Sequence, residues 1–164
     1  MPVVLGIASV ILCKFVLPEF YLSLLDQKSM LSFDKSFLQI PKLLILAFAE
    51  EIAFRGFFQT KLCNITKPIW AIIITSLFFV IGNFPGGAIS AGIIYILFFI
   101  FIDNIIYGVI YQKTKNIYSC TISHFLANVI GTFILLFIWL NHDLRCCNIN
   151  NIGSRFTVVR WNMA

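Results

Sequence analysis

Charged side chains are scarce in this chain. They make up 12% of the sequence, whereas hydrophobic residues make up 60% and the mean hydropathy is +0.94. A soluble domain of 164 residues could not hide that much apolar surface in its core. The composition therefore predicts a membrane protein and argues against a soluble globular domain.

Three further absences narrow the range of functions. The net charge is +5, but Lys and Arg stand singly in polar connectors and form no run, so nucleic-acid binding has no support. The five cysteines show no C-x-x-C spacing, which indicates neither a zinc ribbon nor a disulfide framework. No inverted repeat is visible in the sequence, so a small transporter is also disfavoured.

Five hydrophobic segments predict the fold class, an all-α integral membrane protein. They cover residues 3–25, 43–58, 69–84, 88–111 and 118–140. At 1.5 Å per residue the fifth segment is about 35 Å long, enough to cross about 30 Å of hydrocarbon. Because polar residues recur on several segments, we expect a multi-helix transmembrane bundle with a polar, catalytic-like centre.

These segments divide the chain into three parts. Residues 1–42 are predicted to form an N-terminal membrane helix and a polar connector that begins at Asp26. Residues 43–140 form the membrane core, in which Pro68 is expected to open the third helix. Residues 141–164 form a polar tail, to which the sequence assigns no role.

A cluster of three charges lies inside the second segment. Glu50, Glu51 and Arg55 are surrounded by apolar residues from position 43 to position 58. Three unpaired charges in a membrane helix would cost about 8–10 kcal/mol on insertion scales. Glu51 and Arg55 are four residues apart and can pair, whereas Glu50 lies about 100° away around the helix. A buried ion pair that fixes helix register needs only one carboxylate, so the second one favours a functional site.

Two other polar pairs repeat the four-residue spacing. His124 and Asn128 share one face of the fifth segment, and Phe79 and Asn83 lie near the end of the third. A carboxylate, an imidazole and two carboxamides can therefore converge inside the bundle. Such a set meets two requirements of acyl transfer, because Glu can activate a water and His and Asn can stabilise an oxyanion.

Each of these polar residues also has a structural interpretation. His124 fits a hydrogen-bonded core histidine, and Asn128 fits a polar contact between helices. Asn83 precedes a Pro-Gly-Gly sequence and fits the C-terminus of a helix. Asp103 and Asn104, midway along the fourth segment, are interpreted as a polar contact within the bundle rather than as part of a substrate path.

The order of these residues resembles that of a known family. Residues 50–58, E-E-I-A-F-R-G-F-F, resemble the first motif of the CPBP intramembrane metalloproteases, also called the ABI family. That family includes the type II CAAX prenyl endopeptidases and the bacteriocin-immunity-like proteins. Residues 124–128, H-F-L-A-N, resemble its third motif, His-x-x-x-Asn/Asp. The resemblance covers residues 43–138, and the two motifs together in this order are specific.

The resemblance implies an activity and assigns roles. It implies an intramembrane endopeptidase of the CAAX prenyl protease type, which hydrolyses a peptide bond with a water activated by Glu50. The oxyanion would be stabilised by His124 and Asn128. The full set that it implies comprises the catalytic residues Glu50, Glu51, His124 and Asn128 and the structural or orienting residues Arg55, Asn83 and Phe79.

The resemblance also implies surroundings and partners. It places the protein in a lipid bilayer, here a bacterial plasma membrane, with a peptide or a lipidated protein as substrate and no nucleic acid. The cofactor stays open between none and a divalent metal such as zinc, for which Glu50 and His124 would be the candidate ligands.

The second motif departs from the family pattern. It is Phe-x-x-x-His in the family, but residues 79–83 read F-V-I-G-N and end in Asn83. Asparagine cannot take or relay a proton near neutral pH and is a poor metal ligand. Losing a general acid or base typically costs about 10²–10⁴ in rate. Two functions therefore stay open, a working protease and a catalytically impaired membrane binding or immunity-type protein on the same scaffold.

Overall fold

The computed structural model describes residues 2–26 and 33–159, with side chains over 4–22 and 37–138. All regular structure in these ranges is helical, which confirms the all-α class. The elements are α1 (Pro2–Val16), α2 (Pro18–Asp26), α3 (Phe33–Glu51), a π-helix (Ile52–Gln59), α4 (Thr60–Cys63), α5 (Pro68–Gly82), α6 (Ala91–Thr114) and α7 (Ile117–Val159).

Among the residues that the structure describes, two helices are long and apolar enough to cross a membrane. They are α6 and the stretch Ile117–Ile138 of α7, with mean hydropathies of 2.4 and 1.9. Only 17% of each stretch is buried inside the protein, so most of its residues keep part of their surface exposed, as lipid-facing residues do. Phe98 on α6 and Phe137 on α7 are examples, with exposures of 57% and 67%. The chain is thus an all-α integral membrane protein.

The interior has the opposite composition. Helix–helix association in a membrane relies on close packing and on hydrogen bonds rather than on the burial of apolar surface. The largest fully buried side chains are accordingly mostly polar; they are Arg55, Gln59, Glu51, Thr75, Cys120 and Ser76. The predicted polar centre is therefore present, and it lies among the π-helix, α5, α6 and α7.

The first hydrophobic segment is not one helix. We expected a single helix over residues 3–25, but α1 ends at Val16 and α2 begins at Pro18. Proline has no N–H to donate and clashes with the preceding turn, so it favours the first position of a new helix. Hydrogen bonds on both sides of the break, from Leu17 N to Cys13 O and from Tyr21 N to Leu17 O (both 2.9 Å), keep the backbone nearly continuous.

Two other predicted boundaries also differ. The connector expected from Asp26 to Lys42 is helical from Phe33 onward, because α3 continues through Pro41 at its middle. The tail expected over residues 141–164 has a helical backbone as far as Val159, since α7 runs on without a break. The side chains of that tail and residues 160–164 lie outside the described part of the chain.

The short connections carry the expected capping chemistry. Pro68 opens α5 as predicted, after Lys67 in an extended conformation. Ser90 caps α6 by accepting a hydrogen bond from Ile93 N at 3.2 Å. Lys115 ends that helix in the left-handed region, at φ 52°, and Asn116 caps α7 by accepting from Tyr118 N at 2.9 Å. The short turn at residues 115–116 therefore places α7 next to α6 at the polar centre.

The π-helix replaces the α-helix at the charge cluster. In a π-helix each N–H donates to the carbonyl five residues earlier. Such segments are rare in proteins overall, but those that occur are often found at functional sites. The hydroxyl of Thr60 follows the same spacing and donates to the carbonyl of Arg55 at 2.9 Å. In an α-helix the residue eight positions after Glu51 would lie about 80° away around the axis. Glu51, Arg55 and Gln59, which follow one another at four-residue spacing along this stretch, are all fully buried.

Candidate active site

Arg55 links the helix of the first motif to α6. Its guanidinium is completely buried and donates from Nη1 to Glu51 Oε1 at 3.3 Å. Its Nη2 donates to Asn104 on α6 twice, to Oδ1 at 2.7 Å and to the backbone oxygen at 3.0 Å. The guanidinium also lies 5.7 Å from the ring centroids of both Phe79 and Tyr107. These contacts neutralise Glu51 and fix the position of the first motif relative to α5 and α6.

His124 lies between the two carboxylates of the first motif. Its Nδ1 is 2.9 Å from Oε1 of the buried Glu51, and its Nε2 is 3.7 Å from Oε2 of Glu50. A carboxylate only accepts hydrogen bonds, so Nδ1 carries the proton and donates to Glu51. This bond orients the imidazole and leaves Nε2 on the side of Glu50, whose side chain is 26% exposed.

Two aromatic rings pack against the imidazole of His124. Tyr107 stacks on His124 with a centroid distance of 4.9 Å and an interplanar angle of 19°. Phe79, the first residue of the second motif, contacts the ring edge-on at 6.3 Å and packs against Phe54 at 4.8 Å. These contacts help to fix the position of the imidazole ring.

A cavity of about 280 Å³ opens above this cluster. Glu50 and His124 line it together with Asn83 and Asn128, so three of the four residues predicted to be catalytic share one space with Asn83, which was predicted to have an orienting role. The wall is completed by Gly6, Leu46, Phe79, Ile100, Asp103, Asn104, Tyr107 and Ala127. Glu51 and Arg55 lie behind this wall and do not line the cavity.

Asn83 lines the cavity and also lies at the C-terminal end of a helix. It follows the last residue of α5, and its Nδ2 donates to the carbonyl of Phe79 at 2.9 Å. This is the helix-terminal position that the sequence indicated. The side chain of Asn128 makes no hydrogen bond to another described residue, so its carboxamide is available to a ligand in the cavity.

The sequence model of the family described as type II CAAX prenyl endopeptidase Rce1-like matches residues 34–130. This is more than half of the chain. The chain belongs to this family. The matched range contains every residue of the cluster described above, from Glu50 to Asn128. No curated protein and no solved structure matched the chain.

The family match confirms the resemblance on which the two motifs were interpreted. Membership in an Rce1-like family also supports the interpretation of α6 and α7 as membrane-crossing helices. At the level of the family, the chain is of the CAAX protease type. The match leaves each residue's role in this chain to be proposed from the geometry.

Sequence reasoning missed a ladder of hydrogen bonds between the helix of the first motif and α6. Its rungs are Arg55 with Asn104, Gln59 with Gly108 O (3.1 Å) and Cys63 with Gln112 (3.7 Å), each joining residues 49 positions apart. A constant separation means that the two helices run parallel and keep one register. The available signal was the four-residue spacing of Asn104, Gly108 and Gln112, which repeats that of Arg55, Gln59 and Cys63.

The donor atoms of this site do not fit a catalytic zinc ion. Such sites use three protein ligands and leave a fourth position for water. Over the residues that the structure describes, no three His, Cys, Asp or Glu side chains are grouped so that they could hold a metal ion. The Nδ1 atom of His124 is already bonded to Glu51, and Asn83 supplies no imidazole.

Proposed function

We propose that this chain is an intramembrane endopeptidase that hydrolyses a peptide bond with a water activated by Glu50. The observation that carries the proposal is the arrangement of Glu50 and His124. The two side chains line one cavity, 3.7 Å apart, and the histidine is fixed from behind by Glu51. A carboxylate and an oriented imidazole in a cavity are the groups that general base catalysis requires.

The space between Glu50 and His124 suits one water molecule. Two polar atoms 3.7 Å apart are too distant for a direct hydrogen bond, but a water at about 2.8 Å can contact both. Glu50 takes a proton from this water, and the remaining hydroxide oxygen attacks the carbonyl carbon of the substrate. The carbonyl oxygen then carries the negative charge of the tetrahedral intermediate.

Two hydrogen-bond donors are available for that oxyanion. In its protonated form His124 donates through Nε2, because Nδ1 is already engaged with Glu51. The carboxamide of Asn128 lines the same cavity and has a free N–H₂ group. Donors that are oriented before the reaction stabilise the transition state without further reorganisation, and each is typically worth about 10²–10³ in rate.

The cavity also suits a lipid-modified substrate. Glu50, His124, Asn83 and Asn128 make part of its wall polar, while Leu46, Ile100 and Phe79 make the rest apolar. A peptide that carries an isoprenoid near its C-terminus has both characters. We therefore propose a peptide or lipidated protein as the substrate, in keeping with the CAAX prenyl endopeptidase description of the family.

The test is cleavage of C-terminal peptides by the purified protein in lipid, followed by mass spectrometry. The panel contains prenylated and unmodified peptides, and the variants are wild type, Glu50→Gln and Asn83→His. We expect Glu50→Gln to lower cleavage at least about 10²-fold, because it removes the general base. Glu19→Gln is the matched control, since Glu19 is an exposed carboxylate on α2.

One observation favours a second function. The Asn83 amide is engaged with the end of α5, so the second motif offers no proton carrier to the cavity. A catalytically impaired protein that binds a peptide or lipidated partner would retain the rest of the site. If the wild-type protein cleaves no peptide and Asn83→His does, the result would support this binding or immunity-type function and contradict the proposed protease activity.

A further inference from the structure

Two adjacent pairs of polar residues each combine a contact to Arg55 with a place on the cavity wall. In the first pair, Glu51 contacts Arg55 and Glu50 lines the cavity. In the second pair, on α6, both residues line the cavity, and Asn104 also accepts two hydrogen bonds from Arg55. Asp103 therefore holds a position on α6 that corresponds to that of Glu50 on the helix of the first motif.

The carboxyl group of Asp103 is only partly engaged by the rest of the protein. Its Oδ1 is buried and has no hydrogen-bond partner among the residues that the structure describes. It lies close enough to His124 to interact with it electrostatically. An ionised carboxylate with an unpaired buried oxygen is costly, whereas the neutral acid is much cheaper to bury. A neutral carboxylic acid is also a hydrogen-bond and proton donor.

Peptide hydrolysis at this site also needs a proton donor for the leaving group, a role open to Glu50 once it is protonated and to a second acid in the cavity. Glu50 accepts a proton from water, and His124 and Asn128 face the oxyanion. Asn83, at the position of the second motif's histidine, has no proton to transfer near neutral pH. The nitrogen of the scissile amide must nevertheless gain a proton before it can leave as an amine.

We propose that Asp103 is the general acid of this site and supplies that proton in place of the missing histidine. The inference rests on the proposed function. In the step, the C–N bond of the tetrahedral intermediate breaks, its electron pair goes to nitrogen, and nitrogen takes the proton of Asp103. The oxyanion re-forms the carbonyl of the new carboxylic acid. A proton then returns from Glu50 to Asp103 through water, which restores both groups.

The leaving group provides the test. An ester leaves as an alcohol and depends less on protonation than an amide, so it bypasses a general acid. We expect Asp103→Asn to lower cleavage of the amide peptide by about 10²–10⁴-fold and cleavage of the matching ester by much less. Glu50→Gln should impair both substrates, because both need the activated water.

A second pair of variants separates this role from a structural one. If Asp103 replaces the second-motif histidine, then Asn83→His should restore amide cleavage to Asp103→Asn. A residue that only positions the helices would not be rescued in this way, and its loss would slow amide and ester equally. If Asp103→Asn slows amide and ester cleavage equally, or slows neither, the assignment of Asp103 is contradicted. If Glu50→Gln leaves the cleavage of both substrates unchanged, the proposed function is contradicted.

Infrared spectroscopy tests the resting state of Asp103 without any substrate. The proposal requires a protonated carboxyl group, whose C=O stretch is separate from that of a carboxylate. This band should be present in the wild-type protein and in Glu19→Gln and should be lost in Asp103→Asn. A spectrum of the protonated carboxyl region that is unchanged by Asp103→Asn would overturn the proposal even if every peptide tested resisted cleavage.

Discussion

Replacing Arg55 by glutamine tests whether the guanidinium holds the polar centre together. The wild-type side chain is fully buried and donates to Glu51 and twice to Asn104. In the variant, Glu51 keeps only His124 as a charged or polar partner, while its second oxygen, which already lacks a hydrogen bond, stays buried. The variant therefore leaves a buried carboxylate without its neutralising charge.

The expected loss is large relative to the stability of the protein. Breaking a buried ion pair by removing one partner costs about 3–5 kcal/mol, while whole domains are stable by about 5–15 kcal/mol. We therefore expect Arg55→Gln to shift the unfolding equilibrium about 10²–10⁴-fold. Because Glu51→Gln removes the stranded charge, the double variant should be more stable than the sum of the two single losses predicts, by about 0.5–3 kcal/mol.

The assay is equilibrium unfolding in mixed micelles, followed by tryptophan fluorescence. Trp70 lies on α5, one of the helices that surround the site. Lys61→Gln is the matched control, because Lys61 is an exposed cation two residues beyond the π-helix and should change the free energy by less than about 0.5 kcal/mol. A loss for Arg55→Gln no larger than that of Lys61→Gln, or strict additivity with Glu51→Gln, would refute the reasoning.

Two other predictions follow from the packing and the cavity. A Cβ at Gly108 would lie 2.9 Å from Ile72 Cγ2 and 3.2 Å from Gln59 Oε1, while one at Gly131 would meet nothing within 4 Å. In the same unfolding assay, Gly108→Ala should therefore destabilise the protein by about 1–3 kcal/mol. Gly131→Ala should leave the free energy of unfolding unchanged or raise it by up to about 1 kcal/mol. Equal effects of the two substitutions would contradict the packing described for Gly108. Asn128→Ala removes no hydrogen bond of the resting protein, so it should leave stability unchanged and lower the cleavage rate about 10²–10³-fold. A loss of stability with an unchanged rate would contradict the oxyanion role.

Helical spacing predicted the contacts within each motif. Glu51 and Arg55 are four residues apart and pair, and His124 and Asn128 are four apart and line the same cavity. The length of the apolar segments also predicted the membrane-crossing parts of α6 and α7, because an apolar run of that length has few other stable environments. These features depend on one helix at a time, so a single sequence is enough to predict them.

Contacts between helices were beyond the same reasoning. The bond from His124 to Glu51 joins residues 73 positions apart, and spacing within a helix does not say which helices meet. The π-helix was also missed, because hydrophobic periodicity does not distinguish i→i+5 from i→i+4 bonding over eight residues. Asp103 and Asn104 were interpreted together as a polar contact, yet adjacent residues on a helix point about 100° apart. Only the packing of α6 shows that both residues line the cavity and that Asn104 accepts hydrogen bonds from Arg55.

The most direct test compares the two adjacent glutamates, since the central claim assigns chemistry to Glu50 and neutralisation of Arg55 to Glu51. Unfolding free energy and peptide cleavage should be measured for Glu50→Gln and Glu51→Gln in the same lipid. We predict that Glu50→Gln unfolds like wild type but does not cleave, whereas Glu51→Gln is clearly less stable. If Glu50→Gln retains wild-type cleavage, or if Glu51→Gln is as stable as wild type, the assignment is wrong.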